Sequence, residues 1–406
     1  MKVRHLYHEI KPGGGPGGYL HNLLEAQRLH GPDDDYELEV SDGAKLRSDA
    51  RSNLLRLVRR FRTDLLSQTP RFGARAEHRK NTRVLIDYLD TTYAGITRSD
   101  ATRFFETDVL IVHSTLLASR LQRLCPEIAA RKLVLMTHSP TFLAYELAVA
   151  MNPGVPEAEL VQEPYVRSLV ARELRIMQAA RAVLWPCEES QIGYPDWWQL
   201  FRDGKTSNVY AETGTQRPSA KASREEMRSA WGVPNDRRVA LFIGRAHPHK
   251  GFDRFVDWAD WNRSRSNREW EFVHCGGASQ VARDLSAISE AGYVSDNGAA
   301  YLAADLVLIP NTYSYFDLGL LEAISLGTRV AIAPTGGHGY LARRYSVPTI
   351  PDGPAEEVWP TLEVLADEYA KDDSRSLALT NQWQEHFSLD PFYANLKSVP
   401  AQLAVL

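Results

Sequence analysis

The feature that most constrains the fold is a rhythm. Short β-branched runs alternate with helical stretches from one end of the chain to the other, and strands separated by helices pair in parallel through crossover connections. Strands are predicted at residues 3–8, 108–113, 132–137 and 182–186, then at 238–243, 271–275, 306–310 and 329–333. These form two clusters, and residues 202–236, with the polar run AETGTQRPSAKASREE, read as the connection between them. At 406 residues the chain is also longer than one hydrophobic core usually serves. The expectation is an α/β protein of two doubly wound, Rossmann-like domains, residues 1–210 and 211–385, facing one another across a cleft. Such domains bind ligands beyond the carboxyl ends of their strands, so two of them enclose one site.

An apolar content of 44% with 24% charged residues belongs to a folded chain, and a net charge of −4 gives no general affinity for nucleic acid. Cys125, Cys187 and Cys275 are odd in number and set among apolar residues, which reads as reduced core cysteines without zinc spacing. MKVRHLYHEI lacks the apolar stretch of a secretory signal, and no run approaches the ~20 apolar residues of a membrane span, so a cytoplasmic protein is expected. Charge is nevertheless uneven. Residues 45–83 hold twelve Lys/Arg against Asp49, Asp64 and Glu77, while Leu54, Val58, Phe61 and Leu65 recur there at helical spacing. That pattern suits either a helix lying peripherally on an anionic membrane surface or a basic surface helix packed on the core.

Four segments could carry chemistry. KPGGGPGGYLHNLLEAQRL follows the first strand, and its glycines allow positive φ and close backbone approach where a helix begins, an arrangement that favours an anion such as phosphate. It lacks the Gly-Lys-Ser/Thr of a Walker loop, and Pro16 interrupts a dinucleotide fingerprint. LFIGRAHPHKGFDRF places Arg245, a planar fork, and Lys250, a point charge, in another strand-to-helix loop, a pair suited to a diphosphate. NTYSYFDLGLLEAISLG follows LVLIP and carries Asp317 and Glu322 in an otherwise apolar helical run, Asp317 at a helix N-cap position. VLMTHSPTF puts His138 at a strand end, and IVHS does the same for His113. The D-x-D within GPDDDYE reads as a solvated turn and not as a metal site.

Taken in order, these motifs resemble the retaining nucleotide-sugar glycosyltransferases of family 4, which have the GT-B fold. The resemblance rests on GGGPGG, His138, VLWPCEES, the G-R-x-x-x-x-K-G motif of Gly244, Arg245, Lys250 and Gly251, then PNTYSYFDLGLLEAISLGTRVAIAPTGG and HFSLDPFY. It implies an N-terminal acceptor-side domain, a C-terminal donor-binding domain, and a closing helix of about residues 386–406 that packs back on the first. By position, Arg245 and Lys250 would neutralise the donor diphosphate, joined by the amides of Gly17 and Gly18. Glu322 would hold the ribose, His138 would lie beside the transferred sugar, and the amides of Leu318 and Gly319 would meet the phosphates or sugar. Gly336 and Gly337 resemble a further turn near the nucleotide. No metal or other cofactor is implied, because cations and amides stabilise the departing diphosphate.

The chain departs from the family at one point. The usual pattern has two glutamates eight positions apart, beginning Glu-Pro-Phe-Gly, whereas Ser314 stands at the first place here and Asp317 where the pattern has Gly. Asp317 or the Ser314 hydroxyl is therefore expected to take over contact with the donor sugar. The overall expectation is sugar transfer from a nucleotide diphosphate sugar to a glycan or lipid-linked hydroxyl, in cell-surface polysaccharide assembly, at the inner face of the membrane. An epimerase or hydrolase of the same fold, needing an extra acid/base set, and a non-catalytic nucleotide-sugar-binding protein are the alternatives. Base, sugar and acceptor are encoded by none of these motifs.

Overall fold

The computed structural model describes residues 1–7, 10–31, 33, 36–42, 101–152, 155–193, 206–266, 269–277 and 283–406. The basic stretch 45–83, and with it the membrane reading, lies outside the described residues. Among them, β1 (Lys2–Tyr7), β2 (Glu37–Asp42), β3 (Val109–Val112), β4 (Leu133–Leu135), β5 (Ala182–Trp185) and β6 (Asn208–Tyr210) form one parallel sheet ordered β2-β1-β3-β4-β5-β6. A second parallel sheet, ordered β11-β10-β7-β8-β9, contains β7 (Arg238–Ile243), β8 (Trp270–Cys275), β9 (Ser289–Gly292), β10 (Leu306–Ile309) and β11 (Val330–Ile332). The strands VLIV, LVL, AVLW and VAI are buried throughout, as parallel strands covered on both faces must be.

Strand order reverses between β1 and β3 in the first sheet and between β7 and β10 in the second. At such a switch point adjacent connections leave in opposite directions and open a crevice beyond the carboxyl ends. The glycine-rich loop and His113 flank the first crevice; Arg245 and the Pro310–Asp317 segment flank the second.

The helix Phe252–Ser264 buries Phe252, Phe255, Val256 and Ala259 at helical spacing. Helix Ala355–Lys371 inserts Trp359 between Phe272 and Trp270, with ring centroids 4.6 and 5.3 Å away. The last helix, Leu389–Ala404, leaves this sheet and joins the first. Its Phe392 meets Tyr19 edge-on at 5.1 Å, and Tyr393 stacks on His30 at 4.7 Å. Gln402 both accepts from the Tyr210 amide (2.9 Å) and donates to its carbonyl (2.8 Å), so one side chain satisfies the open edge of β6.

Three strands were not anticipated. β2 begins at Glu37, the last residue of the run read as a turn, and β9 (SEAG) has no β-branched residue at all. β6 falls inside 202–236, as does the helix Arg224–Ala230, so much of the expected connection is structured. That helix starts with a Ser223–Glu226 capping box. It is anchored by the buried Arg228 guanidinium, which donates to Asp305 (2.5 Å) and to the carbonyls of Ala303 (2.9 Å), Asn235 (3.2 Å) and Arg237 (2.7 Å). Asp305 also accepts from the Val239 amide at the start of β7. Removing the carboxylate strands a buried cation, so Asp305→Ala should cost about 3–5 kcal/mol in urea unfolding, with little change in the slope.

Candidate active site

The sheets' carboxyl ends enclose a cleft of about 930 Å³. On the first side, Gly13 (φ +114°) and Gly15 (φ +70°) turn the chain from β1 into the helix Gly15–His30. The loop folds onto its own first helical turn, where a Cβ at Gly18 would stand 1.4 Å from the Gly13 carbonyl oxygen and 3.5 Å from Leu318 across the gap. Gly13, Gly14 and Gly15 face the cleft. Gly17 and Gly18, whose amides are expected to meet a diphosphate, are buried in the first turn of the helix and do not line the cleft.

On the second side, Gly244 (φ +137°) ends β7, and Arg245 and Lys250 both line the cleft. Gly251 (φ +69°) completes the turn against β10's exit, since a Cβ there would lie 1.9 Å from the Pro310 carbonyl oxygen. Lys250 Nζ stands 2.6 Å from Asp317 Oδ1. The other Asp317 oxygen accepts from Asn311 Nδ2 (2.6 Å) and lies 3.1 Å from His338 Nε2. Burial would push this carboxyl up, but Lys250 and His338 hold it well below the usual carboxylate range. Asp317 makes no side-chain cap on the helix Leu318–Ser325. Both its oxygens are taken, one by Lys250 and the other by Asn311 and His338.

Ser314 corrects the other expectation. Its hydroxyl is buried, unpartnered and away from the cleft surface, because its carbonyl accepts from the Gly337 amide (3.0 Å) and holds the residue inward. Gly336 and Gly337 likewise pack on the Ser314–Tyr315 backbone instead of lining the cleft.

Leu318, Gly319 and Glu322 line the cleft where their helix begins. Burial pushes the Glu322 carboxyl up to about 7, partly offset by hydrogen bonds from Tyr301 and Asn297. Gly319 leaves room for that tyrosine, since a Cβ there would come within 3.0 Å of its hydroxyl. Exposed Tyr293 and adjacent Val294 line the same end.

His138, with φ +55°, projects from the loop after β4. Its Nε2 lies 2.6 Å from Nδ1 of His113, whose Nε2 lies 2.9 Å from Nδ1 of His5 on β1. Two carboxylates on the first-sheet side, Glu173 buried and Glu146 half-buried, escaped sequence reasoning. Glu173 accepts from the amides of Leu143 (3.1 Å) and Ala144 (2.7 Å), capping the helix Leu143–Met151, and burial pushes it up to about 7. Glu146 accepts from Ser139 Oγ at 2.7 Å and is raised by burial. A signal for Glu173 existed: it interrupts the apolar stripe Val166, Val170, Ile176, Met177.

The amino ends of two helices, Arg245 and Lys250 thus converge where a multiply charged anion would be held. The half-buried Glu322 carboxyl stands at one end and a neutral imidazole on the opposite wall. Residues 237–356 match the family model described as "Glycosyl transferases group 1". D-inositol 3-phosphate glycosyltransferase of Corynebacterium aurimucosum is 30% identical over 143 residues, 31% of this chain and 34% of that protein. The chain thus spans about a third of that curated relative's length. Sucrose-phosphate synthase from Thermosynechococcus elongatus superposes with TM-score 0.66 at 13% identity over 99% of both chains. The Anabaena protein HepE, in complex with UDP and glucose, does so with TM-score 0.60 at 16% identity, again over 99% of each chain.

The chain has the GT-B fold. The match over 237–356 and the curated relatives support the glycosyltransferase group 1 family for it. Among the carboxyls that line the cleft, Glu322 has a testable pH signature. Its ordinary value is 4.5, so between pH 4.5 and 7 the folded protein keeps a proton that the unfolded chain has lost, and stability falls as pH rises. Glu322→Gln should therefore gain on the parent by roughly 1.4 kcal/mol per pH unit between pH 5 and 7 in denaturant titrations.

Proposed function

We propose that the protein is a glycosyltransferase moving a sugar, with retention, from a nucleotide diphosphate sugar to a hydroxyl of a glycan or lipid-linked acceptor. The observation that carries this reading is the convergence of Arg245, Lys250, two helix amino ends and Glu322 in one cleft between the sheets. UDP-glucose is the first donor to try, because HepE has been crystallised with it. In this reading Glu322 accepts from the ribose hydroxyls, and the amides of Leu318 and Gly319 meet the phosphates. His138 lies beside the sugar. Charge developing on the departing diphosphate is met by Arg245, Lys250 and amides already in place, so no metal is required.

Asp317 serves this chemistry through Lys250. It fixes the ammonium before the donor arrives, which lowers the reorganisation needed when charge develops. Lys250→Ala should lower UDP release from UDP-glucose by roughly 100- to 1000-fold, by analogy with loss of one oxyanion donor. Asp317→Asn should lower it by only about tenfold, since the lysine remains but is no longer aimed. Unchanged release in Lys250→Ala would remove the reading, and an inverted anomeric centre in the product, seen by proton NMR, would remove retention.

The same reading puts the protein in the cytoplasm, at the inner face of the membrane, in surface polysaccharide assembly. Among the described residues no helix is long and apolar enough to cross a membrane. Support for a peripheral association comes from the charge of residues 45–83. Vesicles containing anionic lipid should float the protein at low salt and release it at high salt; protein left at the bottom of the gradient at low salt would exclude the membrane.

A further inference from the structure

Gly244 ends β7 with both of its polar backbone groups turned to β8. Its amide donates to the Cys275 carbonyl (2.8 Å), and its carbonyl accepts from Nε2 of His274 (3.0 Å). In a continued parallel ladder that carbonyl would accept an amide from the chain beyond Cys275. That chain has already turned away, because the Gly276 amide donates to the Gly292 carbonyl at the end of β9 (2.8 Å). An imidazole stands in for the missing ladder bond.

The sense of this bond is fixed by its acceptor. A carbonyl oxygen has no proton to give, so Nε2 of His274 carries one whatever the state of Nδ1. The ring is 1% exposed, and its centroid lies 4.8 Å from that of Phe252 and 5.6 Å from that of Phe242. A Cβ on Gly276 would stand 2.6 Å from Nε2 and 2.0 Å from the Gly244 oxygen, so only glycine leaves room for the contact.

Direction follows from covalent geometry. The Gly244–Arg245 peptide is trans, and a trans peptide sets its carbonyl and its N–H on opposite sides. With the Gly244 carbonyl turned to β8, the Arg245 amide is turned to the other neighbour of β7, which is β10. The crevice of the second sheet opens between these two strands, and Asn311, Asp317 and Leu318 line its far side. The Arg245 amide is thus aimed where an anion between Arg245, Lys250 and the amino end of helix Leu318–Ser325 would lie. Gly244 by itself would not keep it there. With φ +137° and no side chain, it lets the peptide rotate and present the carbonyl instead, which repels an anion.

We infer that His274 is a positioning residue that locks the Gly244–Arg245 peptide with its N–H toward the cleft, making the Arg245 backbone amide a ligand for a phosphate group beside the Arg245 and Lys250 side chains. This rests on the reading of the cleft as a nucleotide diphosphate site. One residue then offers the anion both a charged fork and a backbone donor, and the donor is in place before the ligand arrives.

The test titrates inorganic diphosphate, UDP and uridine calorimetrically into the full chain. His274→Phe keeps a ring beside Phe242 and Phe252 and removes the donor. It should raise the Kd for diphosphate and for UDP about tenfold, the worth of roughly one hydrogen bond, with uridine within about twofold. His274→Gln returns an N–H near the place of Nε2 and should bring both anions back to within about threefold of the parent, which a role in packing alone would not predict. In an Arg245→Ala background, which keeps the amide, His274→Phe should still cost about tenfold; no further loss there would mean that the histidine acts on the guanidinium and would overturn the inference. Equal losses in the phenylalanine and glutamine variants would overturn it too, as would a loss for uridine as large as for UDP. If His274→Phe fails to fold, the parent decides through 15N-arginine labelling. Its Arg245 amide proton, assigned by its loss in Arg245→Lys, should move downfield when diphosphate is added, and an unmoved signal overturns the inference. A parent that binds diphosphate but not UDP, with the His274→Phe loss intact, would count against the nucleotide reading and leave the peptide's role standing; a parent that binds neither removes both.

Discussion

The cleft depends on one close backbone approach, between the Ser314–Tyr315 carbonyls and the turn at Gly336 and Gly337. A Cβ on Gly337 would lie 2.0 Å from the Tyr315 oxygen and one on Gly336 2.2 Å from the Ser314 oxygen, so no side chain fits at either place. The same Tyr315 carbonyl accepts from Ser190 Oγ (2.5 Å), which belongs to the first sheet's side. Tyr315 itself donates to the Leu184 carbonyl (3.3 Å) and packs on Trp185 and His138. One residue of the second domain is thereby set into the end of β5, and the two crevices come to face each other. Arg343 with Glu189, and Tyr345 with Glu212 at 2.8 Å, extend the seam.

That seam explains why Ser314 is not a ligand-facing residue. A glutamate at this position would have to reach outward from a backbone whose carbonyl is already committed to Gly337, whereas serine is small enough to be enclosed. Three residues later the chain has emerged into the cleft and Asp317 is spent on Lys250, Asn311 and His338. Both acids of the helix entrance therefore engage the protein's own groups: Asp317 a cation, Glu322 Tyr301 and Asn297. Only Glu322 stands outside an ion pair and can exchange its partners for hydroxyls of a ligand.

What was legible in the sequence follows from the range of the interactions involved. The eight buried strands were legible because burial on both faces demands consecutive β-branched or apolar residues. β9 was not, because none of SEAG is buried and such a strand needs no such residues. That Arg245, Lys250 and Glu322 line one cleft was legible since each sits in a local strand–loop–helix motif. That Gly18 closes the loop was not legible, because a glycine required for close packing and one required for a ligand look alike in sequence. The distinction appears only when the Gly13 carbonyl is seen at 1.4 Å from a would-be Cβ.

The histidine chain could not have been found by motif, because its members are 108 and 25 residues apart and owe their contact to strand order alone. In the order β2-β1-β3-β4, β1 and β3 are neighbours although β2 separates them in sequence, and this is the switch point itself. The reversal that opens the crevice for a ligand thus also aligns residues from three strands beneath it. A parallel sheet has few polar side chains inside it, since each needs a partner. Placing three imidazoles end to end lets each serve as partner to the next and confines the unsatisfied atom to the far end, away from the ligand. The sheet that creates the cleft thus also supplies the partner of a polar group at its wall.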